Sequence, residues 1–402
     1  MISVNEALTI LAQWVSSNKV STEVVSLVAA TGRVLARDLF SKISMPRFDN
    51  SAMDGFAVLS ADTVKATTTS PVMLKIKDCV RAGESKSVVN ESKYCLKIMT
   101  GAVLPKGADA VVKKEDVLEQ NGSIVVPRFV AVSENIRFAG EDIKQGDLAV
   151  KVGTKISPGT VSFLASIGFK EVPVFKLPRV GLVVTGDELV EDASQLSDGK
   201  ILDSNSHLLL SLLGQEHIQN VLVIHPHDDP IELKNAFLNL FEKTDLILVT
   251  GGVSVGDYDY TRQVLAELGV TELFWKVAQK PGKPLYAGYK EGCLVMGLPG
   301  NPYSVFSCYH RYVRFILKKW QKVICEPESF FLPLYQSAKR DPVRHLFLKG
   351  AYQIKQGRTC VKILKGQGSH LLRSLIDTQC LVSISPGDNM VSEGEPVEVI
   401  PL

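Results

Sequence analysis

Three glycine-rich turns carry the residues best suited to hold an anion. They are Thr185-Gly186-Asp187-Glu188, the run from Thr250 through Gly251, Gly252, Ser254, Gly256 and Asp257 to Asp259, and Gly297-Leu298-Pro299-Gly300-Asn301-Pro302. Glycines let backbone N–H groups converge on an oxyanion, and a following helix N-terminus adds partial positive charge. Acids gather at the same turns: Asp187, Glu188, Asp228, Asp229, Asp257 and Asp259. Carboxylates around a phosphate hold Mg²⁺, which takes one or two of them plus substrate oxygens. Asp229 precedes Pro230 and reads as a helix cap, as does Asp257. That leaves Asp228, Asp259 and Glu188 as the metal candidates. Opposite charge sits in Lys276-Val277-Ala278-Gln279-Lys280-Pro281-Gly282-Lys283-Pro284. Three ammonium groups on a loop stiffened by Pro and Gly suit an oxyanion or phosphate; the plain alternative is a solvated surface.

A competing motif is present. Gly252-Val253-Ser254-Val255-Gly256 matches G-x-S-x-G, the nucleophile elbow of α/β hydrolases. His310, His345 or His370 would then supply the base. The aspartates that follow and the lysine loop have no part in ester hydrolysis, which argues against this reading. There is no G-x-x-x-x-G-K-[ST] and no G-x-G-x-x-G opening a helix, so neither a P-loop nor a nicotinamide site is indicated.

The turns belong to a regular alternation. Apolar runs at Val180–Val184, Val221–Ile224, Asp245–Val249 and Cys293–Met296 read as strands. Helices are expected near Ser206–Leu213, after Asp229-Pro230, over Thr261–Leu268, and for a long stretch from Asn301-Pro302 that turns Val305, Phe306, Tyr309, Val313 and Ile316 inward. Such alternation predicts a parallel sheet covered on both faces, with ligands bound at the carboxyl ends of its strands.

The rest of the chain reads as three further pieces. Ser3-Val4-Asn5-Glu6 fits a capping box opening a first helix, and a second helix is expected near Ala29–Leu39. Short β-like runs between Gly, Pro, Asn and Asp from Pro46 to about Gly140 suggest an inserted β-rich domain. Ile143–Val174 returns to the first piece. Beyond a linker at Cys325-Glu326-Pro327-Glu328, short strands suggest a small antiparallel barrel or sandwich. The expected division is 1–45 with 141–177, then 46–140, 178–325 and 326–402.

Composition limits the classes. At 402 residues, 45% hydrophobic and 22% charged, the chain is globular and multidomain. A net charge of +2 gives no general attraction to nucleic acid or to a membrane surface. The seven cysteines are scattered and form no C-x-x-C pair, which reads as reduced thiols rather than disulfides or zinc. His225 and His227 read as loop residues. With neither a signal-peptide pattern nor an apolar run of spanning length, a cytoplasmic protein is expected.

Several segments resemble the MoeA family of molybdopterin molybdenumtransferases, which includes the gephyrin E domain. They are Pro46-Arg47-Phe48-Asp49-Asn50-Ser51-Ala52-Met53-Asp54-Gly55-Phe56-Ala57, Met99-Thr100-Gly101-Ala102, Gly107 to Val112, Gly140-Glu141-Asp142-Ile143, Thr185 to Leu189, Asp203-Ser204-Asn205, Thr250 to Tyr260, Lys280 to Pro284, and Leu298 to Pro302. They cover nearly the whole chain in the family's order. Lys113-Lys114 and the segment Val343 to Gly350 depart from its pattern.

The resemblance implies a multidomain α/β protein: an αβα molybdopterin-binding domain, a β-rich insert, a helical and extended N-terminal domain and a C-terminal β-barrel. It implies a homodimer with the active site at the subunit interface. The implied reaction converts adenylylated molybdopterin and molybdate to molybdenum cofactor and AMP, assisted by Mg²⁺, with transient contact to the molybdopterin adenylyltransferase. Lys280, Lys283, Arg344 and Ser369 would hold molybdate, and Asp228, Asp259 and Glu188 the Mg²⁺. Lys276 would neutralise phosphate charge. Gly251, Gly252, Ser254 and Gly256 would bind the pterin phosphate, with Pro299, Gly300 and Pro302 beside them, and Asp54, Thr100 and Asp142 would complete the site across the dimer. A scaffold that kept only the fold, as in the receptor-anchoring role of the gephyrin E domain, is the alternative from another class.

Overall fold

The structure is a computed structural model describing residues 1–18, 20–84, 88–252, 260–324 and 329–402. Its central sheet runs in the order Val221–Ile224, Val180–Val184, Leu246–Thr250, Cys293–Leu298, Tyr286–Lys290, Thr271–Trp275. The first four strands are parallel, in a register that sets Val184, Thr250 and Leu298 side by side. Val180–Val184, Leu246–Thr250 and Cys293–Leu298 are buried along their whole length, as strands covered on both faces must be. The last two strands are antiparallel, so the sheet is mixed and not purely parallel. The cause is local. Lys290 pairs with Cys293 across Glu291-Gly292, both at positive φ (48° and 85°), and a two-residue turn of that kind joins only antiparallel neighbours.

Helices α3 (Asn205–Gln215), α4 (Pro230–Phe241) and α5 (Thr261–Glu267) follow the strands. Asp229 caps α4 as its sequence predicts, accepting from the N–H groups of Ile231 and Glu232. The long helix is continuous but not uniform. α6 (Pro302–Cys308) passes through a π-helical turn at Tyr309–Val313 into α7 (Arg314–Trp320), and all five residues of the turn are buried.

The N-terminal helix α1 (Val4–Ser17) has its capping box: Glu6 N–H donates to Ser3 Oγ and Ser3 N–H to Glu6 Oε2. It does not share the core of the discontinuous piece. Trp14 packs 6.2 Å from Trp320, and Ile2 is hydrogen-bonded on both sides to Lys276 and Ala278. The expected helix at Ala29–Leu39 is absent from its place. Gly32 sits at φ +79°, and Leu35 and Ala36 donate to Thr154 O and Pro173 O. Ties to the returning segment outweigh local helix preference there. Leu27, Leu35 and Leu39 form one core with Ile143, Ile156, Leu164 and Val174, which also includes α2 (Pro158–Ser166).

The insert is a six-stranded sheet in the order Ala110–Lys113, Gly55–Val58, Tyr94–Ile98, Val72–Val80, Ser123–Val126, Leu118–Gln120. The C-terminal sheet orders Phe330–Pro333, Pro396–Pro401, Cys380–Ile384, His345–Lys355 and Arg358–Ile363. A Leu334–Val361 bridge, with Tyr335 N–H donating to Val361 O at 2.8 Å, joins its two ends and closes a small barrel. The short strand Gln279–Lys280 adds to this barrel in parallel with His345 and Leu346. The lysine loop is thus shared by two domains.

Candidate functional site

A cavity of about 1190 Å³ lies along that seam. Its walls are the three glycine-rich turns, the lysine loop, the strand start at Arg344–Leu348 and the segment Gln367–His370. Such a volume exceeds the usual range for a drug-sized ligand and suits one of nucleotide size or more.

Strand register brings the turns together. Thr185 N–H donates to Thr250 O at 3.1 Å, and Asn205 Nδ2 donates to both Thr250 Oγ1 (3.0 Å) and Gly300 O (2.7 Å). Gly251 is forced by this closeness. Its φ is +91°, and an added Cβ would lie 2.2 Å from Thr185 O. Asp203 starts α3, its Oδ1 accepting from the N–H groups of Asn205 and Ser206. Its Oδ2, like Asn205 Oδ1, is buried without a partner among the described residues. Both residues line the cavity, but these two oxygens are themselves covered.

The lysine loop is fixed from beneath. Gln279 is buried; its Nε2 donates to Gly282 O at 2.9 Å, and its Oε1 accepts from the Tyr312 hydroxyl on the π-helical turn. Lys280 and Lys283 project from this base into the cavity wall, and neither meets a carboxylate among the described residues. Beside them, next to the His345–Gln279 pair, Arg344 is anchored to Asp341 through Nε (3.1 Å) and Nη2 (2.8 Å). That contact pulls the Asp341 carboxyl down to about 2.

Of the residues singled out by sequence, Glu188, Gly251, Gly252, Lys280, Lys283, Pro299, Gly300, Pro302, Arg344 and Ser369 share this one cavity. Asp228 stands one layer behind, its carboxylate accepting from the Thr185 hydroxyl and from Asp187 N–H. Asp187 answers by accepting from Asp228 N–H, and a further contact with His227 helps hold its carboxyl below the usual range. Lys276 Nζ sits 3.6 Å over the Trp275 ring, away from the described cavity lining. Ser254, Gly256, Asp257 and Asp259 lie outside the described residues.

Asp54 and Thr100 meet each other: Thr100 donates both N–H and Oγ1 to Asp54 Oδ1 at 2.7 Å, which lowers the carboxyl's pKa. Asp142 is exposed, its N–H donating to Met45 O. None of these three is among the described residues lining the cavity of their own chain. Of the possible hydrolase bases, His310 is buried and pushed down to about 3 by desolvation. His345 is pushed down to about 4, chiefly by burial, and pairs with Ser383 Oγ. Only His370 lines the cavity.

Sequence reading missed Gln279, Asn205, Lys349 and Gln367, which position the walls without chemistry-bearing spacing. A buried Gln inside a charged loop was the one available signal.

Three family models match in chain order. They are described as "MoeA N-terminal region (domain I and II)" over residues 2–168, "Probable molybdopterin binding domain" over 181–319 and "MoeA C-terminal region (domain IV)" over 332–402. A Haemophilus influenzae protein named molybdopterin molybdenumtransferase is 36% identical over 384 residues, 94% of each chain. One of the same name from a Nostoc species is 31% identical over 394 residues, 95% of this chain and 89% of that one. The crystal structure of a molybdopterin biosynthesis moeA protein from Pyrococcus horikoshii superposes with a TM-score of 0.86 at 30% identity, covering both chains fully. The chain belongs to the MoeA family of molybdopterin molybdenumtransferases.

Proposed function

We propose that this chain is a molybdopterin molybdenumtransferase, taking molybdenum from molybdate into adenylylated molybdopterin and releasing AMP in molybdenum cofactor biosynthesis. The observation that carries this is the single cavity in which glycine turns face Lys280, Lys283, Arg344 and Ser369. A ligand's phosphates take backbone N–H groups at Gly251 and Gly252. Two ammonium groups and a guanidinium hold a compact dianion on the opposite wall, so binding alone sets the two substrates side by side and replaces a chance encounter by a fixed one.

Mg²⁺ fits the donors that are present. Glu188 on the cavity wall and Asp228 behind Thr185 offer hard carboxylate oxygens. Among the described residues no three acidic, His or Cys side chains converge on one point. Two carboxylates are enough for an ion that takes its other ligands from phosphate and water. When bound, it supplies charge neutralisation at the phosphate as AMP leaves.

The Asp54–Thr100 pair and Asp142 act, on this reading, in the cavity of a second subunit. Phe48, Met53 and Phe138 are 44%, 41% and 44% exposed and lie close to Asp54 or Asp142 in sequence; exposed apolar residues of this kind support an interface. A homodimer in the cytoplasm, fed by a molybdopterin adenylyltransferase, completes the proposal. Among the described residues no helix is long and apolar enough to cross a membrane.

The deciding experiment incubates the protein with adenylylated molybdopterin, Mg²⁺ and either molybdate or tungstate and follows AMP. Oxyanion-dependent release is the expected result. No release with either oxyanion, from a folded protein, rules the transferase out and leaves the scaffold.

A further inference from the structure

The N-terminus of the chain reaches the start of the lysine loop. Ile2 lies parallel to Val277: its N–H donates to Lys276 O at 3.1 Å, and its carbonyl accepts from Ala278 N–H at 2.8 Å. No other described residue pairs with the Lys276 carbonyl or the Ala278 N–H. The remaining backbone groups of these three residues are met elsewhere. Lys276 N–H donates to Leu285 O and Val277 N–H to Lys283 O, both at 3.0 Å, while Val277 O accepts from Gln279 N–H and Ala278 O from His345 N–H. Ala278 is thus held between the N-terminus on one side and the barrel on the other.

These bonds close on a strained point. Lys276 stands at φ +68°, in the left-handed region that a residue with a Cβ rarely adopts and that persists only where its surroundings hold it. It directly follows the central-sheet strand Thr271–Trp275, and the chain then turns toward the barrel, which Gln279–Lys280 joins. The direction of the lysine loop is therefore set at Lys276. Ile2 can act there because it is itself fixed. Ser3 is locked to Glu6 by the capping box, and its carbonyl accepts from Ala7 N–H. Behind it Val4, Ala7, Leu11, Trp14 and Val15 are buried in the same core as Val277 and Leu285. Helix α1 is a stiff arm whose leading residue touches the loop.

We propose that Ile2 is a positioning residue for the oxyanion: its two backbone bonds hold Lys276 in the left-handed conformation and so keep Lys280 and Lys283 aimed into the cavity. The identity of the anion rests on the transferase reading. A loop released from this bridge populates other directions, and affinity falls in proportion to the fraction of chains whose lysines remain in place.

Wild type and variants carry the same short tag ahead of Met1, which is 62% exposed, so that residue 2 stays internal. Ile2→Pro lacks the N–H that donates to Lys276 O and leaves Ser3 and Glu6 as they are. It raises the Kd for sodium molybdate about tenfold, the scale of one hydrogen bond. The KM for adenylylated molybdopterin is unchanged, because strand register holds the glycine turns. Ile2→Val keeps both bonds and binds molybdate as wild type does. Wild-type molybdate affinity in folded Ile2→Pro, or an equal rise in KM for both substrates, overturns the proposal. A second measurement needs no variant. A bridge that favours the anion is favoured by the anion to the same degree, so sodium molybdate slows hydrogen exchange at the Ala278 amide of the wild type. Unchanged exchange overturns the proposal even where Ile2→Pro fails to fold. Slowed exchange without AMP release keeps the bridge and sinks the transferase; AMP release with unchanged exchange does the reverse.

Discussion

The Tyr303 hydroxyl donates to the Phe347 carbonyl at 2.7 Å, both residues fully buried, and so ties α6 of the α/β domain to the barrel strand behind the cavity lining. Tyr303→Phe keeps the ring and leaves a buried carbonyl unpaired. The expected cost is about 1–3 kcal/mol of stability, read as a lower urea midpoint. Because the bond joins two walls of the cavity, KM for both substrates rises as well.

Gly282 stands at φ +87°, with space for a Cβ only 2.6 Å from Cys308 Sγ and 2.9 Å from Gln279 Nε2. Gly282→Ala must shift the packing that carries the lysine loop. A loss of about 1–3 kcal/mol is expected from overpacking, together with weaker molybdate binding. Both are measurable on one preparation by denaturation and by titration. A stable variant with normal binding would show that the loop tolerates movement.

Lys280 and Lys276 belong to the same stretch of sequence but not to the same place. Lys280→Ala removes a cation from the cavity wall, and AMP release is expected to fall about 10²-fold, the usual loss for one oxyanion-stabilising donor. Lys276→Ala removes an ammonium stacked on Trp275 and costs less. Equal losses in the two variants would mean that Lys276 turns into the cavity during the reaction.

Asp341 is held at about 2, below its ordinary 3.8, first by the Arg344 side chain and then by the N–H groups of Arg344 and Val343. A lowered carboxyl pKa contributes stability that is full above the ordinary value and is lost as pH falls through the folded one. The contact should therefore be intact above about pH 4 and fade toward pH 2. Arg344→Ala raises the Asp341 pKa toward 3.8, as a ¹³C carboxyl titration would record.

Thr100→Val removes the hydroxyl donated to Asp54 and leaves the N–H. The Asp54 pKa rises part of the way to its ordinary value in an NMR titration. If Asp54 works in the partner subunit's cavity, mixing Thr100→Val chains with Lys280→Ala chains yields heterodimers with one cavity free of both substitutions. Activity above the sum of the two variants is then expected.

Much of the fold was legible because local signals had no competitor. Ser3 with Glu6, and Asp229 before Pro230, satisfy helix N–H groups with neighbours three residues away or fewer, so their caps hold in any tertiary setting. The strand at Val221–Ile224 and the buried face of α4 follow from apolar spacing in the same way. The segment Ala29–Leu39 failed because its backbone partners are Thr154 and Pro173, more than a hundred residues on. The antiparallel edge of the sheet failed because Glu291-Gly292 is a weak turn signal until Lys290 and Cys293 are seen to pair.

By itself the sequence determined the donor types at the site: glycine turns, carboxylates and a lysine loop, each set by neighbouring residues. Tertiary structure alone decided which of them share a cavity. Strand register aligned Val184, Thr250 and Leu298, and the pairing of Gln279–Lys280 with the barrel brought the lysines into the cavity that Ser369 also lines. It also set Asp228 behind Thr185 and Lys276 on Trp275. Buried clamps such as Gln279 and Lys349 act through hydrogen bonds whose partners lie elsewhere in the chain, and no local spacing can announce a partner that only folding brings near.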